Sequence, residues 1–93
     1  MPRVVVELYG TARSVVGARE VDVEVQAGAS VRTVIAALAT SQPALIGRVI
    51  APGCAELLQS YGVNLNGRNF VADLDTPTQP GDRLLLLFTS AGG

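Results

Sequence analysis

The sequence predicts an α+β fold, a sheet with one main helix packed on one of its faces. Three observations point there. Two early segments alternate apolar and polar residues, one central stretch carries apolar residues at helical spacing, and residues 84–88 (Leu-Leu-Leu-Leu-Phe) form a short uninterrupted apolar run. A hairpin, a covering helix and later strands assemble into a sheet with its helix on one side.

Residues 3–9 set Val4, Val6 and Leu8 on one face and Val5, Glu7 and Tyr9 on the other, which is the period of a strand. Gly10 and Thr11 end it, and residues 12–18, with Gly17 among them, read as a connecting turn. Val21, Val23 and Val25 then alternate with Glu20, Asp22, Glu24 and Gln26, the clearest half-buried strand in the chain. Strands joined so closely predict an antiparallel hairpin.

Ser30 is placed to cap a helix by accepting a hydrogen bond from a first-turn amide. Val31, Val34, Ile35 and Leu38 follow at helical spacing and cover the sheet. Pro43 lacks an amide hydrogen and disfavours helical geometry at Gln42, so the helix ends before it. Residues 44–60 leave more than one reading open. Leu45, Ile46, Val49 and Ile50 fit a helical turn or two, Pro52-Gly53 breaks what precedes it, and Glu56 begins either a short helix or a strand. A strand starting between Leu58 and Tyr61 runs to Asn66-Gly67, a pair suited to a tight hairpin because both residues tolerate positive φ. Residues 68–71 return, residues 73–79 form a loop, and Pro80-Gly81-Asp82 turns into the last strand.

That last strand is expected to be central and buried on both faces, because it is apolar throughout. The expected core, or its border, comprises Val4, Val6, Leu8, Val21, Val23, Val25, Val34, Ile35, Leu38, Leu85 and Leu87. Residues 89–93, Thr-Ser-Ala-Gly-Gly, carry no charge and no large side chain, so they read as a flexible C-terminal arm on a single domain spanning 1–93. Five residues at about 3.3–3.6 Å each carry a terminal carboxylate about 17 Å, far enough to enter another protein's active site. Glycine is about 7% of residues in general, so a pair at two given positions arises by chance about 0.5% of the time. Gly92-Gly93 therefore favours a functional reading moderately on its own.

Composition excludes several classes. The chain has 93 residues, 48% hydrophobic and 16% charged, which indicates one globular domain. The single cysteine, Cys54, has no partner for an internal disulfide, and the absence of histidine removes the usual zinc sites and histidine triads. No metal site is expected, and catalysis within the chain is argued against. A net charge of −1, with seven arginines scattered and no lysine, opposes nucleic-acid binding. No aliphatic run approaches the ~18 residues of a membrane span, no signal-like start is present, and the expected location is the cytoplasm.

Three pieces together resemble the ubiquitin-like sulfur carriers of the β-grasp fold, above all the small subunit of molybdopterin synthase. Residues 8–17 (Leu-Tyr-Gly-Thr-Ala-Arg-Ser-Val-Val-Gly) resemble that family's aromatic–small–x–apolar–Arg segment with a glycine four residues later. Asn66-Gly67-Arg68, then Leu74-Asp75-Thr76-Pro77 and Gly81-Asp82, follow its succession of turns before the final strand, and Gly92-Gly93 resembles its reactive end. The family often has proline where this chain has Phe88-Thr89-Ser90. The long segment around Pro52-Gly53 resembles instead the carrier of a cysteine-forming pathway.

The resemblance implies a β-grasp fold with a mixed sheet, and a carrier rather than an enzyme. A ubiquitin-activating-like adenylyltransferase uses ATP to adenylate the Gly93 carboxylate, a sulfur donor displaces AMP, and a synthase large subunit consumes the resulting thiocarboxylate. No cofactor is bound by the carrier itself. Gly93 carries the chemistry and Gly92 allows its passage. Tyr9, Arg13, Leu87 and Phe88 are candidates for partner binding. Tyr9 alternatively packs in the core, and Arg13 alternatively only solvates its loop. Sulfur delivery to molybdopterin, cysteine or thiamine synthesis, and conjugation of Gly93 to lysines as a protein modifier, all begin with the same adenylation. A non-covalent interaction domain with an incidental Gly-Gly end is the remaining alternative.

Overall fold

The structure, a computed structural model, describes residues 2–89. The elements run β1 (Arg3–Leu8), α1 (Gly10–Val16), β2 (Glu20–Glu24), α2 (Val31–Ser41), a 3-10 turn (Pro43–Leu45), β3 (Tyr61–Leu65), β4 (Asn69–Phe70) and β5 (Arg83–Phe88). The strand order is β2-β1-β5-β3-β4. β1 pairs antiparallel with β2 and parallel with β5, while β5 pairs antiparallel with β3, so the sheet is mixed and the last strand is central.

One core holds the fold together. Val4, Val6 and Leu8 of β1, Val23, Val25, Val63, Leu84 and Leu86 meet Val31, Val34, Ile35 and Leu38 of α2. The helix forms where its spacing and cap predict. Ser30 Oγ accepts from the Thr33 amide at 3.1 Å. Two other first-turn amides, of Val31 and Arg32, donate to the Thr76 and Leu74 carbonyls at 2.9 and 2.8 Å, so the loop before β5 satisfies a helix end that would otherwise need water.

The structure corrects two expectations and resolves a segment that the sequence leaves open. Residues 12–18 are not a simple turn, because Gly10–Val16 form α1. Ala12 is buried, Val15 and Val16 pack against the core, and Gly17 closes the helix in the left-handed conformation with its amide on the Arg13 carbonyl at 2.7 Å. Burial of β5 is one-sided. Leu84 and Leu86 are buried, whereas Leu85 and Leu87 are half-buried on the other face, because α2 covers only one side of the sheet. Of the helical turns conceivable in 44–60, only Pro43–Leu45 forms, as 3-10. There the Leu45 carbonyl accepts the amides of Arg48, Val49 and Ile50 at 2.9–3.1 Å, and Leu45, Val49 and Ile50 plug the end of the core.

Asn66 and Gly67 make the predicted hairpin turn, both at positive φ (57° and 72°). Asn66 also reaches across the sheet. Its Oδ1 accepts the Arg83 amide at 2.8 Å and its Nδ2 donates to Asp82 Oδ1 at 3.1 Å, which joins this turn to the one that starts β5.

Candidate functional site

Strand alternation sorts the predicted site residues before any contact is considered. Leu85 and Leu87 point away from α2, as do Val5, Glu7 and Tyr9 on the neighbouring strand and Gly62 and Asn64 on the other side. Phe70 pairs with Asn64 and so joins that face, 60% exposed. The other residues of this face are half-buried. The result is an open apolar surface around β5, with Phe70 at one side and Tyr9 at the other.

The structure thus brings Tyr9 and Leu87 to one face and excludes Phe88 from it. Phe88 faces the α2 side at the sheet margin, 62% exposed, edge-on to Tyr61 with ring centroids 5.6 Å apart. Tyr9 is half-buried on the open face and is absent from the core. Its hydroxyl donates to Glu7 Oε1 at 2.7 Å, and the Arg13 guanidinium lies over its ring at 5.3 Å. Arg13 is fixed in turn by its Nε on the Leu8 carbonyl at 3.1 Å. Arg83 continues the chain of contacts by pairing with Glu7 Oε2 and with Glu20. A line of alternating charge and aromatic surface, Arg13–Tyr9–Glu7–Arg83–Glu20, therefore borders the apolar patch. Sequence reasoning missed Phe70, Leu85, Glu7 and Arg83. The period-2 partner of Leu87 and the register set by Asn66-Gly67 were the available signals for Leu85 and Phe70.

This network has a pH signature. The Tyr9 hydroxyl, and then the Arg83 guanidinium, hold the Glu7 carboxyl below its ordinary value of 4.5. A depressed folded-state pKa adds stability that is present above about pH 4.5 and lost as pH falls through the folded value. Chemical denaturation followed from neutral to acid pH is expected to show this loss, and Glu7→Gln is expected to flatten it while lowering stability at pH 7. Equal acid sensitivity in both chains contradicts the pairing.

β5 ends at Phe88. Gly92 and Gly93 fall outside the described residues, as do Ser90 and Ala91. Thr89, which the sequence assigns to the arm, is held: its amide donates to the Ser60 carbonyl at 2.7 Å and its hydroxyl to the same carbonyl at 3.2 Å. Cys54 is half-buried, its thiol directed to the Pro52 carbonyl at 3.6 Å. No group of three potential metal ligands gathers among the described residues, and no described helix is long and apolar enough to cross a membrane.

Residues 6–93 match the ThiS family. No curated protein matches the chain significantly. Among solved structures, small archaeal modifier protein 1 (SAMP1) from Haloferax volcanii is 33% identical, over 98% of this chain and 99% of that one, with a TM-score of 0.82. A protein of Pyrococcus furiosus provisionally described as molybdopterin converting factor subunit 1 is 22% identical over 96% and 99% of the two chains, with a TM-score of 0.76. The BexX/CysO complex of Amycolatopsis orientalis contains a chain 23% identical over 97% and 99%, with a TM-score of 0.73. The last two likenesses establish the β-grasp fold alone.

Proposed function

The chain belongs to the ThiS family of ubiquitin-like sulfur carriers, and on that premise we propose that the Gly93 carboxylate is its reacting group. The observation that carries the reading is that the family match runs through Gly93, beyond the anchored Thr89. ThiS-family proteins are carriers and not catalysts, so the chain is substrate to its partners. The carboxylate oxygen attacks the α-phosphorus of ATP on an adenylyltransferase, pyrophosphate leaves, and an acyl-adenylate forms. Hydrosulfide then attacks that carbonyl, AMP departs, and loss of the remaining S–H proton leaves a thiocarboxylate. Gly92, without a side chain, lets the partner's walls close on the backbone beside the reacting group.

The open sheet face is the docking surface in this reading. It is apolar at its centre and bordered by charge, the pattern of a protein interface. Phe70→Ala is expected to weaken adenylyltransferase binding about 10-fold or more, the scale of an aromatic interface anchor. Its exposure keeps the expected stability change within about 0.5 kcal/mol. Unchanged affinity measured by calorimetry contradicts docking on this face.

Two fates of the activated Gly93 follow. In the first the thiocarboxylate donates sulfur in cofactor synthesis, with the chain serving as molybdopterin synthase small subunit beside a large subunit, or in cysteine or thiamine formation. The Pyrococcus likeness accords with the first of these through fold alone. In the second, Gly93 is joined to protein lysines, and the 33% identity to a modifier over nearly both whole chains favours this fate. Mass spectrometry of cell extracts separates them: lysine-linked Gly93 remnants are expected for the modifier, and sulfur labelling of a small product without such remnants for the cofactor carrier.

A further inference from the structure

Gly62 stands inside β3, where a residue without a side chain weakens a strand. Its place on the open face is explained by what lies above it. A Cβ there would sit 3.0 Å from Thr89 Cγ2, and 3.8 and 3.9 Å from Cδ1 and Cε1 of Phe70. Thr89 in turn extends the β5 pairing by one residue through its two hydrogen bonds to the Ser60 carbonyl. Rotating its side chain away from Gly62 would move the hydroxyl off that carbonyl.

We propose that Gly62 is a positioning residue for the reaction at Gly93: its missing side chain is the seat for Thr89, and the seated Thr89 fixes the point from which the last four residues start. The inference rests on the carrier reading above. Four residues span at most about 14 Å. A fixed root confines where the carboxylate can go and spares the partner the ordering of Thr89 on binding, whereas a loose root leaves that ordering to be done in the complex.

The test uses the full chain with its adenylyltransferase, and two readouts. Hydrogen exchange at the position-89 amide reports the seat without reference to activity; ATP–pyrophosphate exchange reports the reaction. Gly62→Ala is expected to reduce protection of that amide and raise KM about 2- to 3-fold. Gly62→Val is expected to do so about 5- to 10-fold, the scale of ordering one residue anew, while Val63 and Leu86 amides stay protected. Because Gly62 shares the docking face, a direct clash with the partner must be told apart. Adding Thr89→Ser to Gly62→Ala removes the carbon that clashes and keeps the hydroxyl, so it is expected to restore both protection and KM. A partner clash would not be repaired this way. Unaltered protection in Gly62→Val, lost protection with unaltered KM, or failure of the paired substitution to restore KM each overturns the proposal alone. Absence of turnover with the unsubstituted chain overturns the carrier reading, and the proposal with it.

Discussion

Removing Gly93 is expected to abolish adenylation while leaving the fold intact. Deletion withdraws the terminal carboxylate by one residue, about 3.5 Å. A misplacement of about 1 Å can already cost roughly 100-fold in rate, so the loss in ATP–pyrophosphate exchange should exceed that and reach background. Appending one residue moves the carboxylate outward by the same distance and should do equal damage. Gly92→Leu keeps the carboxylate but adds a side chain where the partner's walls close, and slower adenylation is expected. None of these changes touches the cluster formed by β1, β5 and α2, so the thermal midpoint should not move. Wild-type exchange rates after deletion would place the reacting group elsewhere.

The second large effect belongs to the core. Leu38 is 2% exposed and lies in the cluster with Val34, Ile35 and the β1 and β5 side chains. Leu38→Ala removes buried methyl groups and leaves a cavity that the sheet can only partly fill, a cost of about 2–5 kcal/mol. For a chain of this size that lowers the thermal midpoint by roughly 10 °C or more. A loss under about 0.5 kcal/mol, the range of surface substitutions, contradicts the packing of α2 described above.

How far the sequence reveals this molecule depends on which signal each residue carries. Val4, Val6, Leu8, Val23 and the α2 stripe are legible because alternation and helical spacing each bury one face. Ser30, Pro43 and Asn66-Gly67 are legible because caps and turns are local chemistry. The run Leu84 to Leu87 is apolar at every position, so its period is hidden and only its partners decide which side is buried. Pairing of Leu84 and Leu86 with Val6, Leu8 and Val63 settles it. Leu85 and Leu87 thereby fall on the open face. α1 escaped notice because seven residues give barely two turns of pattern, and Gly17 reads as a turn as readily as a helix end. Phe70 and Thr89 were invisible for a related reason. Each takes its place from a neighbour across the sheet, Asn64 and Gly62 for the one, Ser60 and Gly62 for the other.

Conversion of Gly93 to a thiocarboxylate is expected to be visible in the mass of the intact chain. The Cys54→Ser chain, which has no thiol of its own, is incubated with the cognate adenylyltransferase, ATP and a sulfur donor, then weighed and treated with a thiol-directed reagent. The predicted result is a gain equal to the difference between sulfur and oxygen, confined to a fragment ending at Gly93, with reagent added at the same place. An unchanged mass and no reaction with the reagent, under conditions in which the adenylyltransferase consumes ATP on this chain, would contradict it.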